Sequence, residues 1–237
     1  MRRIVAVGAA GLVLAACGTA QAVAASGPVA RAARQLASEP VHFCFVTTAT
    51  AQTGSERIAG CGIEADGGSR LALTEQLDEA VGAQTQQGSE GVIAIGRRLW
   101  VSQGKTWHVE PATPAVIAPA NVAAVLEATP ASSWQVGRGG VVDGVQTLAY
   151  SAKLSGAALT RVLGALSGSL RSQYEAESIR QADIAVEVSQ AGRILEVDQR
   201  QTLSGQGQVV EVVSVLVLSK LGVPVSITPP PARLVVG

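Results

Sequence analysis

Three kinds of hydrophobic pattern run along this chain: one continuous apolar run, three stretches at helical spacing, and many short alternating or β-branched segments. The continuous run is Ile4 to Leu14, behind Met1-Arg2-Arg3. It is too short to cross a bilayer as a helix, which needs roughly 20 apolar residues. A basic start, a short apolar centre and small residues after it predict a signal peptide.

Helical spacing appears first at Val29, Ala32, Ala33 and Leu36, with Pro28 where a first turn tolerates it and Pro40 as the stop. It returns at Val122, Val125 and Leu126, with Asn121 as the expected N-cap. The third stretch, Leu159, Val162, Leu163, Leu166 and Leu170, follows Ser155 as a possible cap. Strands are expected over 41–50, 57–64 and 70–75, in paired segments over 91–109 and 136–154, and over 182–189, 194–203 and 209–218. Gly54-Ser55, Gly96-Arg97, Gln103-Gly104 and Asp143-Gly144 supply turn chemistry. The polar stretch 80–88 reads as a loop, and Pro229-Pro230-Pro231 cannot sit inside a sheet. Hairpin-length connections predict an α+β fold with an antiparallel sheet, not parallel winding. No linker divides it, so residues 28–237 are expected to form one domain.

Composition narrows the chemistry. The 18 basic and 18 acidic residues cancel, so charge gives no case for nucleic acid. Arg outnumbers Lys, and Ala, Gly and Val abound, as in proteins of GC-rich genomes, including actinobacteria. The apolar run ends Leu14-Ala15-Ala16-Cys17-Gly18, a match to the bacterial lipobox. Small residues let the peptidase reach the bond before Cys17, and the thiol accepts a diacylglyceryl group. The expectation is a signal peptide over 1–16, a lipidated Cys17 and a small, polar tether over 17–27. Two cysteines remain, Cys44 and Cys61, and an even pair in an exported chain reads as a disulfide. A hairpin sets them opposite each other if it turns at Gln52-Thr53; a turn at Gly54-Ser55 requires a bulge.

Catalytic signatures are missing. Gly104-Lys105-Thr106 lacks the glycine that a phosphate loop needs five residues earlier, where Leu99 stands. Gly137-Arg138-Gly139-Gly140 has Val142 in place of the third glycine of a dinucleotide fingerprint, and Gly164–Gly168 is off by one from a nucleophile elbow. His42 and His108 stand alone, so neither a triad nor a metal centre is indicated. No cofactor and no enzymatic activity are expected.

Several segments together resemble a known family. They are Leu99-Trp100-Val101 with Gly104-Lys105-Thr106-Trp107, Val141 to Thr147 with Tyr150, and the ending Leu221 to Pro230. This combination is similar to actinobacterial lipoproteins of the LppX/LprAFG type. The resemblance implies a half-barrel: a curved antiparallel sheet wrapped over a few helices, as in the periplasmic carrier that sorts lipoproteins. It also implies a lipid or glycolipid held between sheet and helices, at the outer face of the cytoplasmic membrane. Val125, Leu126, Leu163 and Leu166 are then the expected lining residues. A non-enzymatic surface interaction or sensor module built on a closed core, with an envelope protein as a possible partner, is the alternative.

The lipobox generates a first prediction. Burial of lipid methylenes contributes about 0.8 kcal/mol each, so two or three chains on Cys17 hold the protein stably on a membrane. Mass spectrometry of the N-terminal peptide should find acyl mass on Cys17, and Cys17→Ala should release the protein from the membrane fraction. An unmodified Cys17 would remove the lipoprotein assignment.

Overall fold

The computed structural model describes residues 27–81, 84–111, 118–166, 171, 179–205 and 208–236. Cys17, the expected signal peptide and Leu170 lie outside the described residues. In chain order the elements are α1 (Pro28–Ser38), β1 (Val41–Ala51), β2 (Gly54–Ala65), β3 (Arg70–Val81), β4 (Gln84–Ile95), β5 (Arg98–Gln103), β6 (Thr106–Pro111), α2 (Pro119–Ala128), β7 (Trp134–Val136), β8 (Val141–Val142), β9 (Val145–Ser155), α3 (Gly156–Ala165), β10 (Ile179–Ser189), β11 (Ile194–Gly205), β12 (Gln208–Ser219) and β13 (Val235–Val236).

All thirteen strands join one curved, unclosed sheet. Its order is β13-β6-β5-β4-β3-β2-β1-β12-β11-β10-β9-β7, with β8 paired to β9 off that path. The two meanders, β1–β6 and β9–β12, meet at the β1–β12 ladder, where Phe43 faces Leu218 and Phe45 faces Leu216. The sheet is mixed, not purely antiparallel, because β13 runs parallel to β6. The proline run lies between β12 and β13, outside any strand, as the missing N–H groups require.

One face of the sheet carries the core. Val41, Phe43 and Phe45 alternate along β1 with half-buried or exposed neighbours, and the two Phe rings stack at 6.4 Å. Across the ladder this face continues through Leu216, Val197 and Val186. Side chains of α1, α2 and α3 belong to the same buried cluster. Gly60 sits beside Phe45 on β2, where a Cβ would come within 2.9 Å of the ring and 2.7 Å of the Thr74 carbonyl oxygen. A close backbone approach explains this glycine inside a strand. Gly139 is equally constrained, since a Cβ there would collide with the Thr147 carbonyl. The run Gly137–Gly140 is therefore an edge crossing against β9, with Gly137 N–H donating to the Ala149 carbonyl.

Several boundaries differ from expectation. The described residues of the polar stretch 80–88 are in strands, not a loop: the β3–β4 ladder continues to Val81 opposite Gln84. Ladder hydrogen bonds hold those polar residues in strands, and pattern reading overlooks them because neither face is apolar. The first hairpin turns at Gln52-Thr53, and Gly54 already pairs with Ala51, so no bulge intervenes. The helix α2 starts at Pro119, which leaves Asn121 inside it and Ala118 at the N-cap. α3 stops at Ala165, and Ser155 occupies its N-cap without a side-chain bond.

Glu64 explains how α2 starts without a capping side chain. It is 2% exposed at the end of β2, on the helix-facing side. Its Oε1 accepts the Ala120 N–H at 2.9 Å, one of the donors that a helix start leaves unpaired. Burial pushes its pKa up to about 8, a rise that the Ala120 bond only partly opposes. Glu64 is therefore a neutral acid at pH 7, and among the described residues its buried Oε2 has no partner.

Two predictions follow from these contacts. Cys44 and Cys61 are directly opposed, with Cα atoms 4.0 Å apart and the bridge on the exposed face away from the helices. Peptide mapping without reductant should recover this bridge, and the double change to Ser should cost about 3 kcal/mol of stability. Full alkylation of both thiols without reductant would contradict it. The second concerns pH. With the folded pKa of Glu64 raised, the unfolded chain releases a proton that the folded chain keeps. The stabilisation is complete below about pH 4.5 and fades up to about pH 8, a loss on the order of a few kcal/mol. Glu64→Gln keeps an oxygen for Ala120 and should unfold with a flatter pH profile, overtaking the wild type near pH 8. Parallel profiles would show that Glu64 does not titrate in this range.

Candidate functional site

α3 packs on β9 and β10, and one small space lies between the helices and this part of the sheet. Val125 on α2, Leu163 on α3 and Leu166 just beyond it line a shared space with Leu154, Ile184 and Gln201. Three of the four expected lining residues are thus brought together. Leu126 is fully buried elsewhere in the core and does not border that space. The volume is about 10 Å³, room for roughly one water.

Polar residues interrupt the helix-facing side of the sheet. One cross-strand row reads Ile58, Thr47, Ser214, Gln199, Ile184 and Ala152 from β2 to β9. Thr47 and Ser214 satisfy each other through their hydroxyls at 3.0 Å. The next row places Gln201 between Val212 and Ala182. On the other meander, Glu75 of β3 lies directly opposite Glu90 of β4. Burial first, then a hydrogen bond and the charge of Glu90, raise the Glu75 pKa well above the usual carboxylate range. The pair therefore holds a proton, with Glu75 donating to the Glu90 carboxylate.

Sequence reasoning did not single out Glu64, Glu75, Gln199 or Gln201, although a signal existed. Each occupies the apolar phase of an alternating strand: Ile58, Gly60, Gly62, Glu64; Leu71, Leu73, Glu75, Leu77; Val197, Gln199, Gln201, Leu203. A polar residue at that phase is the departure worth marking. His42 on β1 and His108 on β6 are separated by four strands, and among the described residues no group of three His, Cys, Asp or Glu could hold a metal.

No protein-family model matches the chain, and no curated protein matches it by sequence. Solved structures do match. The crystal structure of LprF from Mycobacterium bovis is 13% identical over 86% of this chain and 95% of that one, with a TM-score of 0.51. Mycobacterium tuberculosis lipoprotein LppX is 12% identical over 85% and 94%, with a TM-score of 0.48. At such identities the likeness is one of fold, and this chain has an LprF-like fold.

Proposed function

We propose that this protein is an envelope lipoprotein, anchored through Cys17, that binds or transfers lipids or glycolipids without catalysing a reaction. The proposed organisation is a signal peptide over 1–16, a tether over 17–27 and one half-barrel domain over 28–237 whose sheet wraps over the helices. The observation that carries this reading is the LprF-like fold, taken with the sequence resemblance to LppX/LprAFG-type lipoproteins, several of which hold lipids. The packing of α3 supports it. α3 buries Leu159 and Val162 and half-buries Leu163, so it meets the sheet through aliphatic side chains that an acyl chain can replace.

A specific observation favours a second reading, a surface module that binds an envelope protein. Val136, Val141 and Leu148 are 69, 58 and 48% exposed within one short stretch of the β7–β9 edge. Exposed apolar side chains gathered in this way mark interaction surfaces.

Native mass spectrometry of gently purified protein separates the two. Lipid-mass adducts are expected, and Leu163→Trp or Val125→Trp should reduce them at least severalfold while the fold survives. Absence of adducts, with a melting temperature that added lipid leaves unchanged, would discard the carrier reading in favour of the surface module.

A further inference from the structure

The sheet has a long stretch of strand edge that the chain leaves open. β4 has 12 residues, but β5 has 6 and pairs only with Val92–Ile95. Over 85–90, the side of β4 away from β3 has no strand beside it among the described residues, and each residue there is exposed. The outer limits of the sheet are closed differently. β13 runs along β6 at one limit. At the other, β7, β8 and the Gly137–Gly140 crossing lie against β9.

The direction of the free backbone groups follows from one contact. Gly91 N–H donates to the Ser102 hydroxyl on β5, so Gly91 turns its N–H toward the open side. Backbone groups alternate in direction along a strand with period two. Ser89, Gln87 and Thr85 therefore present both N–H and C=O to the open edge, while Gly88 and Gln86 turn theirs to β3.

Edges of this kind are commonly guarded by lysine, proline or a bulge. Thr85-Gln86-Gln87-Gly88-Ser89 contains no lysine, arginine or proline, and the β3–β4 register passes through it without a shift. What fits such an edge is another extended backbone. The side chains narrow the choice. They are uncharged and include no large apolar group, so a foreign strand finds neither a charge nor an apolar slot to read. A second copy of the same strand needs neither. Turned antiparallel, it sets odd-numbered residues against odd-numbered residues, so the free N–H groups of each copy meet carbonyls of the other. Thr85, Gln87 and Ser89 also share one face of β4, where their hydroxyls and amides can bond across the pair. Antiparallel pairing carries Glu90 toward the other strand's hairpin end, away from its own copy.

We propose that residues 85–89 of β4 form a self-association edge, through which two copies of this chain join their sheets antiparallel about a two-fold axis. The contact is short, so the association is reversible. It is independent of what the helix side of the sheet binds.

The test places a photoreactive residue, Gln87→benzoylphenylalanine, in the full chain in cell membranes. Arg97→benzoylphenylalanine, at the far end of β4, is the control. Illumination should give an adduct of twice the chain's mass from position 87 and none from position 97. Mass spectrometry should find position 87 joined to the β4 segment of a second copy. Ser89→Pro removes an N–H that makes no ladder bond within one chain, and Gly88 before it has no Cβ to clash. The bonds lost at both copies should lower the adduct about tenfold or more. Ser89→Lys puts like charges at the contact and should lower it too; thermal melting checks that both variants fold. An adduct with a different protein would overturn self-association and make the edge a docking strand for that partner. No adduct, an equal adduct from position 97, or one that survives both changes would overturn the edge as a contact altogether.

Discussion

The structure depends on a mismatch between the size of its sheet and the size of its helices. A twelve-residue strand such as β4 runs about 40 Å, whereas a ten-residue helix such as α2 runs about 15 Å. The three α-helices among the described residues therefore cannot by themselves cover one face of a thirteen-strand sheet. The sequence answers by grading that face. Phe43, Phe45, Leu216 and Leu218 crowd together where both meanders join. Farther along β1 and β12 come Thr47 and Ser214, and neighbouring strands add Gln199 and the Glu75–Glu90 pair. Burying large aliphatics along the whole length would have demanded more cover than the three described helices provide.

That grading explains both what sequence patterns revealed and what they hid. Helices with a full apolar stripe were legible: α1 starts at Pro28 and buries Val29, Ala32, Ala33 and Leu36 as the spacing predicts. The opposition of Cys44 and Cys61 was legible too, because strand alternation limits which residues share a face. The β3–β4 arm was not, since its polar residues gain ladder bonds that carry no hydrophobic signature. The start of α2 was misplaced for a related reason. Local rules look for a capping side chain beside the helix, and the side chain that meets Ala120 is Glu64, more than fifty residues away. Of the four expected lining residues, helical spacing grouped Val125 with Leu126, but the two point into different parts of the core.

The described helices are held in two different ways. Glu64 has found a backbone partner, and with it α2 is pinned to the sheet. α1 shares that fixity through Arg34 and Glu127. Among the described residues α3 is held by aliphatic contacts: it buries Leu159 and Val162, and Leu163 and Leu166 border the same small space. Polar contacts are directional, and losing one buried partner is costly, so they fix position. Dispersion contacts are non-directional, so one hydrocarbon surface can replace another. The described helix layer thus combines polar ties at α1 and α2 with aliphatic contacts at α3.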